Sequence, residues 1–185
     1  ILATSNQASD DPVAGFGTQN GFTVVRGPLE DVANRFSVAA EHSNAEAIAR
    51  ISGDSPLMDF RVIERAVDEF QRGSGELVTN VKPRTFPPGC SVEVFSASVL
   101  KTAHAEMTEH DREHVTPALY REGQFRNFAH SRDLSAFPLA VDVEEDFQLA
   151  EQIFSELNGS PSDFTIDQIV EVRNRINAEQ RRQAA

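Results

Sequence analysis

Apolar and polar positions along this chain switch repeatedly between two spacings, one suited to strands and one to helices. The opening Ile1-Leu2-Ala3-Thr4-Ser5 reads as the tail of a strand already under way. Asp10-Asp11-Pro12 predicts a cap with proline in the first turn of a short helix, ended by Asn20-Gly21. Phe22-Thr23-Val24-Val25 is a compact β-rich run. From 29 to 40 the apolar residues Leu29, Val32, Phe36 and Ala39 or Ala40 recur at helical spacing. The next strand is predicted over 47–51, stopped by Gly53 and Pro56. Asp59 then caps a helix carrying Phe60, Ile63, Val67 and Phe70 along one face.

Leu77-Val78-Thr79 and Val92-Glu93-Val94-Phe95 read as further strands, separated by a loop rich in Pro and Gly. Ser96 caps a helix to about Met107, and a polar segment over 110–114 leads into the segment 115–122. Residues 125–128 alternate briefly, and Leu139-Ala140-Val141 predicts a short strand. Its acidic continuation opens a helix with Phe147, Leu149, Ile153, Phe154 and Leu157. Thr165-x-x-Gln168 has the capping-box form and starts the last helix, with a frayed tail over 178–185. Strands alternating with such helices predict an α/β chain, one domain over 1–185, with a largely parallel sheet covered on both faces. In such sheets ligands bind beyond the carboxyl ends of strands.

Composition narrows the function. Seventeen basic against twenty-nine acidic residues give a net charge of −12. Non-specific binding to nucleic acid or an anionic membrane needs a cationic face, so neither partner is expected. A nucleotide is still admissible, because a few donors or a metal ion can hold it. The lone Cys90 excludes an internal disulfide and suits a reducing compartment. With no span-length apolar run or signal peptide, the expectation is a cytoplasmic protein.

Two acidic turns carry the candidate chemistry. In Arg50-Ile51-Ser52-Gly53-Asp54-Ser55-Pro56-Leu57 a predicted strand ends in a glycine turn that presents a carboxylate. Such an Asp can ligate Mg²⁺, which takes one or two carboxylates plus phosphate oxygens. It can equally hydrogen-bond its own turn, the commoner use of Gly-Asp-Ser-Pro taken alone. In Val141-Asp142-Val143-Glu144-Glu145-Asp146 the last three acids read as helix-capping, whereas Asp142 stands earlier, at the expected strand tip. Two such carboxylates from separate strands could share one ion.

The loop from Lys82 through Pro83-Arg84-Thr85-Phe86-Pro87-Pro88-Gly89 to Val94 is stiffened by prolines and freed at one turn by glycine. Arg84 could grip a carboxylate or phosphate bidentately and Glu93 could accept sugar hydroxyls; a plain connection with a surface Arg is the alternative. Cys90 reads as a packed thiol. His110 and His114 stand four apart, yet the residues between them do not make the His-Glu-x-x-His pattern, so a helix-start charge cluster is the simpler reading than zinc. No P-loop, Gly-x-Ser-x-Gly elbow or dinucleotide fingerprint occurs.

Taken in order, several segments resemble the cytidylyltransferase family: Ala3-Thr4-Ser5, Asp10-Asp11-Pro12-Val13-Ala14, Val25-Arg26-Gly27 with Asp31-Val32, Arg50 to Leu57, Pro83-Arg84-Thr85-Phe86-Pro87, Val92-Glu93-Val94-Phe95, Arg112-Glu113-His114-Val115-Thr116-Pro117 and Val141-Asp142-x-x-Glu145-Asp146. The narrower likeness is to the spore-coat polysaccharide biosynthesis protein F branch, relatives of the acylneuraminate and 3-deoxy-manno-octulosonate enzymes. The resemblance implies a glycosyltransferase-A-like (nucleotide-diphospho-sugar transferase) fold, with a mixed, mostly parallel sheet. It implies transfer of CMP from CTP to a sugar acid, with Asp54 and Asp142 holding Mg²⁺. Arg50 and Ser52 would flank that site, Arg84 and Glu93 would lie on the sugar side, and Glu113 and His114 would be further pocket residues. A homodimer is implied too.

Two departures go with it. The family's opening βα portion, with its glycine- and arginine-containing nucleotide loop, has no counterpart in these residues. Ser91 stands where the family pattern leads one to expect Asp. They keep open a second reading, a non-catalytic nucleotide- or sugar-binding module or structural subunit derived from the fold. A glycosyltransferase using a ready-made nucleotide sugar is a third, since fold alone does not fix chemistry.

Overall fold

Strand β1 (Leu2–Ser5) and strand β2 (Val24–Gly27) pair in parallel, Leu2 opposite Val24 through Ser5 opposite Gly27, with helix α1 (Asp11–Gln19) crossing between them. This β-α-β start is what the alternating pattern predicts. The structure, a computed structural model, describes residues 1–73, 77–122 and 124–183. β2 begins two residues later than the apolar run does. Phe22 N–H donates to the Gly17 carbonyl at 2.9 Å, so Phe22 closes the end of α1 and stays half exposed.

After β2 come α2 (Val32–Ser43), β3 (Ala47–Arg50), α3 (Phe60–Arg72), β4 (Leu77–Thr79), β5 (Glu93–Ser96) and α4 (Ala97–His104). Then follow α5 (Glu109–His114), α6 (Thr116–Glu122), β6 (Phe125–Asn127), α7 (Glu144–Leu157) and α8 (Ile166–Gln183). The second sheet orders its strands β3-β5-β4-β6, so the β3–β5 and β4–β6 neighbours imply crossovers, whereas β4 and β5 adjoin in both sequence and sheet. Helices and sheets alternate as a mixed α/β fold. Among the described residues, no helix is long and apolar enough to cross a membrane.

Two compact units make up the chain, interleaved in sequence. The first is chiefly Ile1–Ile48 and Val94–Phe125. Its core gathers Ala33, Ile48, Leu77, Phe95, Leu100 and Leu119. The second is chiefly Ala49–Gly73, Val78–Glu93 and the chain from Arg126 onward. It buries Val62, Ala66, Phe86, Val92, Ile153 and Ile176.

At Asp59, Ser96 and Thr165 helix starts follow the predicted caps, because a cap is a local hydrogen bond that orders an otherwise orphaned N–H. At α1 Pro12 lies in the first turn as predicted, but Asp10 makes no side-chain cap bond and accepts from the Thr4 hydroxyl and Ser5 N–H instead. Asp59 accepts from Arg61 N–H at 3.0 Å, and Ser96 from Ser98 N–H at 3.3 Å. Asp31 accepts from Asn34 N–H at 2.8 Å, which starts α2 at Val32 and leaves Leu29 exposed outside it. Thr165 and Gln168 form the expected box. Asp59 goes further: its second oxygen accepts from Ile166 N–H at 3.0 Å, so one carboxylate anchors the starts of α3 and α8.

Several expectations need correction. The buried face of α3 is centred on Val62 and Ala66, with Phe60 42% exposed, because Phe60 sits at the first helical position. α4 stops at His104, since Thr108 opens a separate helix through a capping box with Asp111. α8 continues helically through the expected frayed tail to Gln183; residues 184–185 lie outside the described residues. The strand expected at Leu139-Ala140-Val141 does not form. Those residues make single hydrogen bonds to two different loops, Leu139 N–H to the Pro88 carbonyl at 2.7 Å and Val141 N–H to the Asp54 carbonyl at 2.9 Å, so no ladder develops.

Candidate active site

In the second unit the predicted residues converge by way of backbone. Arg50 ends β3, and Ser52, Gly53 and Asp54 form the exposed turn beyond it. Ser55 folds underneath, buried, and its hydroxyl donates to Asp54 Oδ1 at 2.9 Å. The bond from Val141 N–H to the Asp54 carbonyl sets the Asp142 segment directly against this turn. Asp142 is therefore a loop residue rather than a strand-tip one. Its N–H and that of Val143 both donate to Asp146 Oδ2, at 3.1 and 3.2 Å, which fixes the start of α7. Asp146 thus caps, as expected, while the exposed Asp142 carboxylate takes no hydrogen bond from a described residue.

The loop from Lys82 to Val92 reaches the same place. Gly89 has φ +90°, and a Cβ there would come within 2.4 Å of Ala140 N and 2.5 Å of Leu139 C. Only glycine lets this turn lie against 139–140, and the Leu139–Pro88 bond secures it. Asn80, fully buried, clamps the loop's far end: its Nδ2 donates to the Cys90 carbonyl at 2.7 Å and its Oδ1 accepts from Val92 N–H at 3.0 Å. Phe86 packs edge-on against Phe128 and His130, with centroids 5.6 and 5.3 Å away. Asn80 carries no motif, and its role emerges only once the chain is folded.

The two arginines of this site differ. Arg50 Nη1 meets Glu93 Oε2 at 2.7 Å, with Glu93 almost wholly buried. A buried carboxylate needs such a partner to stay charged. Glu93, expected to accept sugar hydroxyls, is thus engaged by Arg50. Half-buried Arg84 instead donates from Nη1 to Ser91 Oγ at 3.0 Å. Burial pushes the Cys90 thiol up to about 12, the nearby Asp59 charge adds to this and Arg84 opposes it, which makes Cys90 a packing residue as expected.

Glu113 and His114 belong to the first unit, where both are exposed on α5. Glu113 lines an open cleft of about 600 Å³ with Glu30, Asp31, Glu109, His110 and Arg112. The His110 and His114 rings lie 4.3 Å apart. Among the described residues, no group of three or more His, Cys, Asp and Glu could hold a metal ion. Beneath this face Asp111, with no exposed surface, takes two bonds from Arg121 at 2.8 and 2.7 Å and one from the Thr108 hydroxyl at 2.7 Å. The Arg121 fork, and then Thr108, hold its carboxyl well below the usual range. Val115 follows at φ 69° and ψ −63°, a strained conformation for a β-branched residue that costs about 1–3 kcal/mol. Asp111 O accepts from Val115 N–H at 2.6 Å and helps hold it there.

The loops beyond β3 thus bring the Asp54 turn and the Asp142 segment together through the backbone of a mixed α/β chain. A solved cytidylyltransferase from Leptospira borgpetersenii shares the fold with a TM-score of 0.88 at 28% identity, covering 95% of this chain and 76% of that one. The sequence model of the family described as Cytidylyltransferase matches residues 1–183, and the chain belongs to that family. Spore coat polysaccharide biosynthesis protein SpsF of Bacillus subtilis is 28% identical over 185 residues, covering 95% of this chain and 74% of that protein. An uncharacterized protein of Methanocaldococcus jannaschii is 31% identical over 155 residues, 80% of this chain. The chain spans 63% of the length of that archaeal relative.

Proposed function

We propose that the protein transfers CMP from CTP to a sugar acid, releasing pyrophosphate, in the making of a surface polysaccharide and in the cytoplasm. Membership of the cytidylyltransferase family supports the nucleotide half of this reading. The polysaccharide role of SpsF supports the sugar half. The observation that carries it is the 2.9 Å bond from Val141 N–H to the Asp54 carbonyl, which gives two exposed carboxylates a common turn-to-turn neighbourhood.

The residues fit Mg²⁺. Asp54 gives up one oxygen to a single neighbouring hydroxyl, Asp142 gives up none to a described residue, and both supply the hard oxygen donors this ion takes. Two carboxylates fall short of a full shell, which leaves positions for triphosphate oxygens. Bound there, Mg²⁺ would neutralise charge developing on the phosphates. In the reaction an acceptor hydroxyl oxygen bonds to the α-phosphorus and the bond to the bridging oxygen breaks. Pyrophosphate departs with the bonding pair, and the hydroxyl proton passes to water. Arg50 and Ser52 border the phosphate side, and the Arg50–Glu93 pair keeps β3 and β5 in fixed register there.

The complete encoded protein, mixed with CTP, Mg²⁺ and a panel of nonulosonic and octulosonic acids, should release pyrophosphate with at least one of them, and EDTA should stop it. Release with none would remove the reading. Calorimetric binding of CTP without turnover would then favour a non-catalytic module.

A further inference from the structure

Helix α8 is sorted by charge around its axis. Glu171, Arg175 and Glu179 recur every four residues on one side, where Arg175 Nη2 meets Glu156 of α7 at 2.6 Å and the field of all three glutamates raises its pKa. A step of two residues turns about 200° around a helix, so Arg173, Asn177 and Arg181 form a row on roughly the opposite side. With Asn174 and Phe137, that row lines an open cleft of about 490 Å³ that lies wholly within the second unit. Twenty-nine acidic residues are spread over this chain, yet none of them lines the cleft.

Other arginines, Arg65 and Arg84 among them, also bond only neutral oxygens. The cleft differs in joining two arginines and two amides with no acid between them. Arg173 is held in place there. Its guanidinium lies over the Phe137 ring, 5.8 Å from the centroid, and its Nε donates to the Pro138 carbonyl at 3.0 Å. Neither Nη group donates to a described residue, which leaves that end of the fork for a ligand. Burial pulls the Arg173 pKa down, so water has been taken from this cation and no carboxylate has replaced it. Arg181 stands eight residues on, about 12 Å along the axis, where its charge also suits the carbonyl end of the helix. Asn177 lies midway between the two.

We propose that this cleft is a second binding site, for a ligand carrying two anionic groups, one met by Arg173 and one by Arg181, with its polar middle on the Asn177 amide. A single negative group would face the repulsion of a chain of net charge −12 with one desolvated cation to hold it. A second group gains the exposed Arg181 as well. An acidic oligosaccharide and a diphosphate share this chemistry. The site shares no residue with the Asp54 and Asp142 turns and does not depend on the reaction proposed for them.

The test is calorimetry on the complete encoded protein in EDTA, so that no metal-held phosphate contributes. The probes are pyrophosphate and a disaccharide of N-acetylneuraminate, with lactose as the neutral control. At least one acidic probe should bind once per chain, more weakly as NaCl is raised, and lactose should not bind. R173Q should weaken binding by about 10- to 100-fold, the worth of a charge-assisted hydrogen bond, and R181Q by about 3- to 10-fold because it is exposed. N177D leaves the Arg173–Pro138 contact in place and sets a carboxylate in the middle of the cleft, so it should cost at least as much as R173Q. R182Q makes the same change of charge outside the cleft and should bind as wild type does. Circular dichroism checks that each variant folds. Binding of the disaccharide alone makes the ligand an acidic glycan, and of pyrophosphate alone a diphosphate; either supports the site. If neither binds, if N177D binds as well as wild type, or if R182Q costs as much as R181Q, the inference falls, and the proposed activity is judged separately by pyrophosphate release.

Discussion

Asp111 and the Asp54–Asp142 pair put the same side chain to opposite uses. Asp111 is sealed from solvent, and its two oxygens are taken by an arginine fork and a hydroxyl. Asp54 and Asp142 are exposed on turns, and between them accept one side-chain hydrogen bond from described residues. A saturated carboxylate has no capacity left for a ligand, whereas an unsaturated one on a fixed backbone keeps its lone pairs for a cation. Partner count, more than acidity of the segment, separates framework from site.

The sharpest way to break that contrast is to neutralise each kind. D54N or D142N should lower turnover by about 10³-fold, the several kcal/mol expected when a metal-borne charge stabilisation is lost, with Tm close to wild type. D111N should do the reverse. It leaves the Arg121 fork facing an amide and slackens the capping box of α5, so thermal unfolding should show a Tm lower by several degrees. Activity per folded molecule should hardly change. If D54N instead melts early and keeps its turnover, Asp54 is framework and the division fails.

Acid titration offers a smaller and more specific test. Asp111 has its pKa depressed from an ordinary 3.8, chiefly by Arg121 and then Thr108. Asp10 is depressed likewise, chiefly by the Thr4 hydroxyl and then by Ser5. Between the folded and unfolded values the unfolded chain binds more protons, so stability rises with pH there. These contributions are fully present above the ordinary carboxylate range and are lost as pH falls through and below it. Urea unfolding from pH 6 downward should show stability falling toward pH 3, and D111N should show a shallower fall. An identical slope would mean that the Arg121 contact does not hold the ionised form.

What the sequence discloses follows the range of the interactions. Asp59, Ser96 and the Thr165–Gln168 box are legible because a cap bonds residues two or three positions away. The Asp54 turn is legible as a glycine turn after a strand for the same reason. Asn80, by contrast, bonds Cys90 and Val92, ten and twelve positions on, and nothing local marks it. The strand expected at 139–141 fails because its apolar alternation fits a sheet, while its hydrogen bonds go to Pro88 and Asp54 on two separate loops. Asp111 reads as part of a helix-start cluster, which its box with Thr108 supports. Its larger role depends on Arg121, ten residues on, across the strained Val115 corner. Family resemblance supplies what spacing does not, by treating distant segments as one series.

The smallest expected effect concerns Cys90, a fully buried thiol of the second unit. Burial raises its thiol to about 12, Asp59 adds to this from its place at the starts of α3 and α8, and Arg84 pulls the other way. Only the thiolate attacks a disulfide reagent, so at pH 8 both the ionised fraction and access are low. Labelling with a thiol reagent should therefore be slow in the folded protein and complete within the unfolding time in denaturant. R84Q removes a nearby cation that favours the thiolate, so it should slow native labelling slightly rather than speed it. Faster labelling in R84Q with an unchanged Tm would mean that Arg84 shields Cys90 sterically, as part of the packed loop, instead of standing by as an available charge.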